Sequence, residues 1–163
     1  MANAVYWDTS AILKLYAPEP DSRDYLRLLI QQVEDVAISF LHRIELYFAL
    51  GGKESRGEMS PGSAKRLFQL FEEHVEGGRY FVIPWGDDVE AEASRLLDGS
   101  LNATPPVMLR SLDGVHLGAL RAARIQSVVT ADVRMRDAAR SARIAVVEPS
   151  PNRPSPGGGN RPR

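Results

Sequence analysis

Short apolar runs alternate with longer amphipathic stretches along most of this chain. The runs have the length of buried strands, and the stretches between them repeat apolar residues at helical spacing. Strands are predicted at Val5–Asp8, Val36–Ser39, Tyr80–Pro84, Ser127–Thr130 and Ile144–Val147. Because strands and helices alternate, the pattern predicts an α/β fold with a parallel sheet and helices on both of its faces.

The helix ends are predicted from capping hydroxyls and acids, prolines and glycines. The predicted helices are Thr9–Tyr16, Asp21–Val33, Phe40–Leu50, a helix beginning at Ser60–Pro61 and running to about Val75, a helix from Asp87 or Asp88 to about Gly99, Leu112–Arg124 and Asp132–Ser141. Gly51 and Gly52 are expected to close the third helix. Residues 1–148 are predicted to form one domain. Residues 149–163, rich in Pro, Gly and Arg, are expected to be a disordered basic tail, either an inert terminus or a functional arm.

The composition is that of a globular protein and excludes several kinds of site. The chain has 163 residues, 44% of them hydrophobic and 25% charged, enough for a single domain with a full core. It has no cysteine, which excludes disulfides, thiolate metal sites and a cysteine nucleophile, and its three isolated histidines suit zinc poorly. No signal sequence or apolar run of about 20 residues is present, so we expect a soluble, cytoplasmic protein and no contact with a membrane.

The net charge of −1 conceals an uneven distribution. Residues 1–109 carry 10 Lys and Arg against 17 Asp and Glu, whereas residues 110–163 carry 10 against 4. Seventeen of the 20 cations are arginines, the residue best suited to bidentate phosphate contacts. Two interpretations stay open for Arg134, Arg136, Arg140 and Arg143: they line an RNA path, or they form a solvated helix face.

Four acids lie where apolar runs give way to polar sequence: Asp8, Glu45, Asp113 and Asp132. The carboxyl ends of parallel strands converge on one crevice, so acids that are distant in the sequence are expected to meet there. Each has an ordinary explanation by itself, Asp8 as a helix cap and Glu45 as a solvated helical glutamate. However, the pairing of a hydroxyl with an acid after the first predicted strand recurs after the fourth, which favours a shared site.

Carboxylates together favour the hard cations Mg²⁺ or Mn²⁺, and such ions support hydrolysis of phosphodiester bonds. Without cations, mutual repulsion is expected to raise pKa values and to destabilise the protein, so added metal should stabilise it. His116 follows Asp113 by three residues and so shares a helix face with it. It is either a second ligand or a hydrogen-bonded, half-buried side chain, and the preference of hard cations for oxygen favours the latter.

Four motifs in this order resemble the PIN-domain family, in particular the VapC toxins of toxin–antitoxin pairs. They are DTSAILKLY at residues 8–16, Ser39 with Glu45, SLDGVHLGAL at residues 111–120, and TADVRM at residues 130–135 followed by Ala138 and Ala139. The resemblance covers residues 5–147. The chain departs from the family at Gly114, where alanine is common, at a helix cost of roughly 1 kcal/mol, and in the glycine-containing connection of residues 51–62.

The resemblance implies a three-layer fold with a five-stranded parallel sheet and an endoribonuclease toxin that depends on Mg²⁺ or Mn²⁺. It implies that Asp8, Glu45, Asp113 and Asp132 are the catalytic, metal-binding quartet. Ser10 and Thr130 would be hydroxyls that orient these carboxylates. The implied partners are an RNA substrate and a VapB-like antitoxin, in a homodimer or a toxin–antitoxin hetero-oligomer.

Two other functions stay open. An aspartate-based phosphatase would use Asp8 as a nucleophile, but such enzymes usually have a second acid two residues further on, where this chain has Ser10. A non-catalytic RNA-binding or partner-binding module is the other alternative. The first three predicted helices carry apolar residues with three possible roles: a groove for an antitoxin helix, a homodimer face, or part of the core. These residues are Tyr16, Leu26, Leu29, Tyr47 and Phe48.

Overall fold

A computed structural model describes residues 3–106 and 108–150. Its strands are β1 (Ala4–Trp7), β2 (Asp35–Ser39), β3 (Phe81–Ile83), β4 (Ser127–Val129) and β5 (Ala145–Val147). They form one sheet in the order β3-β2-β1-β4-β5, and every neighbouring pair is parallel. The predicted five-stranded parallel sheet is therefore confirmed. The predicted tail lies outside the described residues from residue 151 onward.

The helices between the strands cover both faces of the sheet. They are α1 (Thr9–Tyr16), α2 (Ser22–Gln31), α3 (Leu41–Ser55), α4 (Ser63–Glu76), α5 (Asp87–Leu101), α6 (Ser111–Ala122) and α7 (Val133–Ser141). In the part of the chain that the structure describes, no helix combines the length and the apolar character needed to cross a bilayer.

Two cores lie on opposite faces of the sheet, because successive residues of a strand point to opposite sides. Trp7 packs in one core with residues of α1, α3 and α4, among them Ile12, Leu46 and Phe71. Tyr6 packs in the other core, which contains Leu117 of α6. The central strand β1 therefore holds the three layers together.

The chain reverses its direction of travel across the sheet at β1. From β1 it proceeds to β2 and β3 on one side, and later crosses over to place β4 on the other side. At the ends of these two strands Trp7 pairs with Val129, and the Asp8 N–H donates to the Val129 carbonyl at 3.0 Å. Such a switch point leaves a crevice beyond the carboxyl ends of the two strands, where α/β proteins bind ligands.

The prediction that Gly51 and Gly52 close a helix is wrong, because α3 continues through both to Ser55. Neither glycine has the left-handed conformation of a helix-ending residue. Gly57 has it instead, with φ 74°, and its N–H donates to the Glu54 carbonyl. The glycine-containing connection expected over residues 51–62 is therefore shorter, because residues 51–55 belong to α3.

The prediction that the next helix begins at Ser60–Pro61 is also wrong. Helix α4 begins at Ser63, after Gly62 with φ 81°. Ser60 accepts a hydrogen bond from the Ser63 N–H, so this segment forms a turn that leads into the helix.

Gly118 lets α6 pack closely against α5, and we expect Gly118→Ala to destabilise the fold by about 1–2 kcal/mol. A Cβ atom at Gly118 would lie 2.8 Å from the Val89 carbonyl oxygen and 2.9 Å from the Ala93 nitrogen. Both contacts are to backbone atoms, which cannot move aside easily, so we expect an overpacking cost in the upper part of the usual range, about 2–3 kcal/mol. The better helix propensity of alanine offsets roughly 1 kcal/mol of it. Urea unfolding of both proteins measures the difference.

Gly51→Ala is the matched control for this substitution. A Cβ atom there meets nothing within 4 Å, so this variant should be stabilised by up to about 1 kcal/mol. A Gly118→Ala protein as stable as Gly51→Ala would contradict the close packing of the two helices.

Candidate active site

All four predicted acids line one cleft of about 580 Å³. Asp8 follows β1 and caps α1, and Asp132 follows β4 and caps α7. Asp113 lies in the first turn of α6 and Glu45 in α3. The structure thus brings together the side chains that the sequence pattern expects to converge.

Asp8 is both a helix cap and part of the cleft wall. Its Oδ1 accepts hydrogen bonds from the Ser10 hydroxyl at 2.8 Å and from the Ala11 N–H at 3.1 Å, and its Oδ2 accepts one from the Thr130 hydroxyl at 3.0 Å. Burial raises the pKa of Asp8, although His116 and these hydrogen bonds act in the opposite direction. The carboxylate is therefore fixed in orientation but costly to keep charged.

Ser10 connects the two strand ends that form the cleft. Its hydroxyl donates to Asp8 and accepts from the N–H groups of Ala131, at 2.8 Å, and Asp132, at 3.1 Å. The Thr130 hydroxyl also accepts from the Asp132 N–H at 3.0 Å. These contacts join the β1–α1 turn to the β4–α7 turn and fix the positions of Asp8 and Asp132 relative to each other.

Asp113 and Asp132 repel each other across the cleft. Burial raises the pKa of Asp113, and the negative charge of Asp132 raises it further, while Arg110 acts in the opposite direction. The Asp132 Oδ1 accepts a hydrogen bond from the Arg134 N–H at 2.8 Å. A cation between the two carboxylates would relieve their repulsion.

Glu45 is not the fully solvated helical glutamate of the ordinary interpretation, because its side chain is only 22% exposed and is hydrogen-bonded within the cleft. Its Oε2 accepts hydrogen bonds from the Thr9 hydroxyl at 2.5 Å and from His116 Nε2 at 2.7 Å. Arg43 contacts Glu72 rather than Glu45, at 3.0 Å. Burial acts to raise the pKa of Glu45, but His116 and Thr9 outweigh it, so the pKa is lowered and the carboxylate stays ionised.

His116 is hydrogen-bonded, as expected, but it is more deeply buried than predicted, at 4% exposure. Its Nδ1 contacts the Tyr6 hydroxyl at 2.6 Å, and Tyr6 donates to the Ser39 hydroxyl at 2.9 Å. With its Nε2 on Glu45, His116 joins the cleft to the interior of the protein.

His42 completes this buried network. Burial lowers the pKa of His42 to about 3, so the ring is neutral at physiological pH. Its Nε2 donates to the Trp7 carbonyl at 2.7 Å, and its Nδ1 accepts from the Ser39 N–H at 3.1 Å. The sequence pattern predicted no site role for Tyr6 or His42, and it included Ser39 only as part of a motif with Glu45. The available signal was Tyr6, because a tyrosine within a buried strand requires a partner for its hydroxyl.

The cleft has the donor set of an open site for a hard divalent cation. Within residues 3–106 and 108–150, no group of three or more His, Cys, Asp or Glu side chains is arranged so that it could hold a metal ion as the side chains stand. Mg²⁺ keeps several water molecules and needs only one or two carboxylates from a protein. The repelling pair of Asp113 and Asp132 beside the buried Asp8 matches that requirement.

Fold and site together define an α/β protein with an acidic cleft at the switch point of a five-stranded parallel sheet. The chain belongs to the PIN domain family, which it matches over residues 5–141. It is 33% identical to Ribonuclease VapC46 of Mycobacterium tuberculosis over 149 residues, which is 90% of this chain and 98% of that protein.

Solved structures share the fold at lower identity. The crystal structure of Mycobacterium tuberculosis VapC20, described as a Sarcin-Ricin loop cleaving toxin, has a TM-score of 0.61 and 17% identity, and covers 82% of this chain and 94% of that one. A toxin-antitoxin complex from Klebsiella pneumoniae has a TM-score of 0.58 and 15% identity, and covers 90% of this chain and 98% of that one. At these identities the likeness concerns the fold alone.

Proposed function

We propose that this protein is an Mg²⁺- or Mn²⁺-dependent endoribonuclease, the cytoplasmic toxin of a VapBC-like toxin–antitoxin pair. The observation that carries the proposal is the convergence of Asp8, Glu45, Asp113 and Asp132 on one cleft. The similarity to a protein named as a VapC ribonuclease, over nearly the whole chain, supports the same activity.

Asp8, Asp113 and Asp132 are the residues that would hold the divalent ion, with Glu45 at the edge of the same cleft. A bound ion supplies positive charge at the scissile phosphate and lowers the pKa of water. The protein's part is to hold the carboxylates in place: Ser10 and Thr130 fix Asp8, and Thr9 and His116 fix Glu45.

Arg110 gives the cleft a cation of its own. It lines the same cleft as the acids and acts to lower the pKa of Asp113. A guanidinium in this place suits a phosphate oxygen of the RNA, because its planar donors match that group. We assign it the binding and orientation of the substrate backbone.

The proposed protein partner is a VapB-like antitoxin that binds α3. Ile44, Tyr47 and Phe48 lie on one face of this helix and are 57%, 46% and 78% exposed. Tyr16, in contrast, is buried and hydrogen-bonded to His74 and Tyr80, so it belongs to the core. An apolar helix face of this kind suits an amphipathic helix of a partner or a second copy of the chain.

The phosphatase alternative has less support. Such phosphatases usually have a second acid two residues after the nucleophile, whereas here that position is Ser10, whose hydroxyl donates to the Asp8 Oδ1 at 2.8 Å. Trapping of a phosphoenzyme would revive this alternative.

The experiment that tests the proposal is incubation of the purified full-length protein with end-labelled RNA in Mg²⁺, in Mn²⁺ and in EDTA. We expect defined cleavage products with either ion and none in EDTA. Intact RNA under all three conditions would refute the nuclease and favour the non-catalytic binding module.

A further inference from the structure

Three arginines surround a second cleft at the opposite edge of the sheet from the acids. Arg121 lies in the last turn of α6, and Arg124 and Arg143 lie in the connections that lead into β4 and β5. All three line a cleft of about 560 Å³. This arginine cluster therefore sits where β4 and β5 begin, whereas the acidic cleft sits where β1 and β4 end.

The arginine cluster has no acidic partner in the part of the chain that the structure describes. None of its three guanidiniums forms an ion pair with Asp or Glu there. The undescribed residues contain no Asp or Glu that would supply one. Arg136 and Arg140, in contrast, both pair with Glu148. Arg121 donates from Nη2 to the Ala142 carbonyl at 2.7 Å, which fixes its guanidinium beside the cleft. No described acid neutralises the charge of the three arginines.

The backbone at two members of the cluster is unfavourable for arginine. Arg124 has φ 58° and Arg143 has φ 57°, and they are the only non-glycine residues with positive φ among those described. Each follows a helix and precedes a strand, a position where glycine is the usual residue. Two arginines in a left-handed conformation cost stability, and strain of this kind points to a function for the side chain.

We propose that the arginine cluster is a phosphate-binding site for the part of an RNA strand that extends beyond the acidic cleft. The inference rests on the proposed ribonuclease function and names a second contact of the same substrate. Guanidinium groups bind phosphate oxygens through paired hydrogen bonds. β4 has three residues, so about 10 Å of sheet separates its two ends, a distance that a longer RNA spans.

The lining of this cleft favours a nucleic acid over an acidic protein. Ile125 and Ile144 are its large apolar residues, and both are buried, at 4% and 6% exposure. The cleft therefore offers charge without an apolar anchor for a peptide. The exposed apolar residues that suit a protein partner lie elsewhere, on α3.

The test is the affinity of the full-length protein for a labelled 20-nucleotide single-stranded RNA, measured by fluorescence anisotropy in EDTA over a range of salt concentrations. For Arg124→Gln/Arg143→Gln we expect affinity at least about tenfold weaker. The slope of log K against log salt should fall by about 1.4, since each phosphate contact on a single strand contributes about 0.7. Arg23→Gln, which removes an exposed charge from α2, should change the affinity less than twofold.

A second variant separates binding from folding. Arg124→Gly/Arg143→Gly removes the same charges but relieves the backbone, so its Tm should rise by about 2–4 °C for each glycine, while RNA affinity falls as in the glutamine variant. Unchanged RNA affinity in both variants would overturn the proposal. So would binding of labelled polyglutamate that is lost in these variants while RNA binding is kept, because that result assigns the cluster to an acidic protein.

The result is independent of cleavage. A wild-type protein that binds RNA through the arginines but does not cut it would refute the nuclease and leave the phosphate-binding site standing. Cleavage of RNA by the wild-type protein, together with RNA affinity that the substitutions leave unchanged, would support the nuclease and refute the phosphate-binding site.

Discussion

The Asp113→Asn protein is expected to cleave RNA at least about 100-fold more slowly than the wild-type protein in saturating Mg²⁺. Asparagine keeps the size of the side chain but removes the charge that, with Asp132, would hold a cation in the cleft. Loss of one group that stabilises transition-state charge typically costs a factor of about 10²–10³ in rate. Single-turnover cleavage of end-labelled RNA measures this effect.

Asp137→Asn is the matched control for this substitution. Asp137 is an exposed aspartate on α7, away from the cleft lining, so the same chemical change there should alter the rate less than twofold. Equal activity of Asp113→Asn and Asp137→Asn would show that the activity does not come from the acidic cleft.

The largest effect on stability is expected from His116→Leu. The substitution removes two hydrogen bonds, one from His116 to the charged Glu45 carboxylate and one between His116 and the Tyr6 hydroxyl. Glu45 keeps its contact with Thr9, and Tyr6 keeps its contact with Ser39. A hydrogen bond to a charged group contributes about 1.5–3 kcal/mol and a neutral one about 0.5–1.5 kcal/mol, so we expect a loss of about 3 kcal/mol and a fall in Tm of about 6–12 °C. Urea unfolding and a thermal melt in EDTA measure both quantities.

His74→Leu tests whether the loss is specific to the site. His74 contacts Tyr16, but the Tyr16 hydroxyl keeps its hydrogen bond to Tyr80 at 2.7 Å, so the cost should be about 1 kcal/mol or less. In a double-mutant cycle, His116→Leu and Glu45→Ala should couple, because each removes one side of the same contact. Additive effects of the two substitutions would argue against a bond between these side chains.

The strands and the convergence of the acids were predictable because they depend on local signals and a topological rule. The apolar run before Asp8 predicts a buried strand, and a parallel α/β fold places the ends of its strands at one edge. Asp132 was predictable for the same reason, because it follows the apolar run of the fourth predicted strand. The family resemblance added Ser10 and Thr130, whose hydroxyls contact Asp8 in the structure.

The buried network behind the cleft was not predictable in the same way. Glu45 lies in a helix with no local sign of a partner, and its contact with His116 joins residues 71 positions apart. The end of α3 was missed for another reason. Glycine marks a helix end only where the backbone becomes left-handed; α3 continues through Gly51 and Gly52 to Ser55, and the left-handed glycine is Gly57.

Calorimetric titration of the metal-free protein with Mn²⁺ tests most directly whether the four carboxylates form one cation site. We predict saturable binding by the wild-type protein, a rise in Tm on addition of the ion, and binding at least about tenfold weaker in Asp113→Asn but unchanged in Asp137→Asn. Mn²⁺ binding of equal strength in wild type and Asp113→Asn, or no binding to the wild-type protein, would show that the acidic cleft is not a cation site.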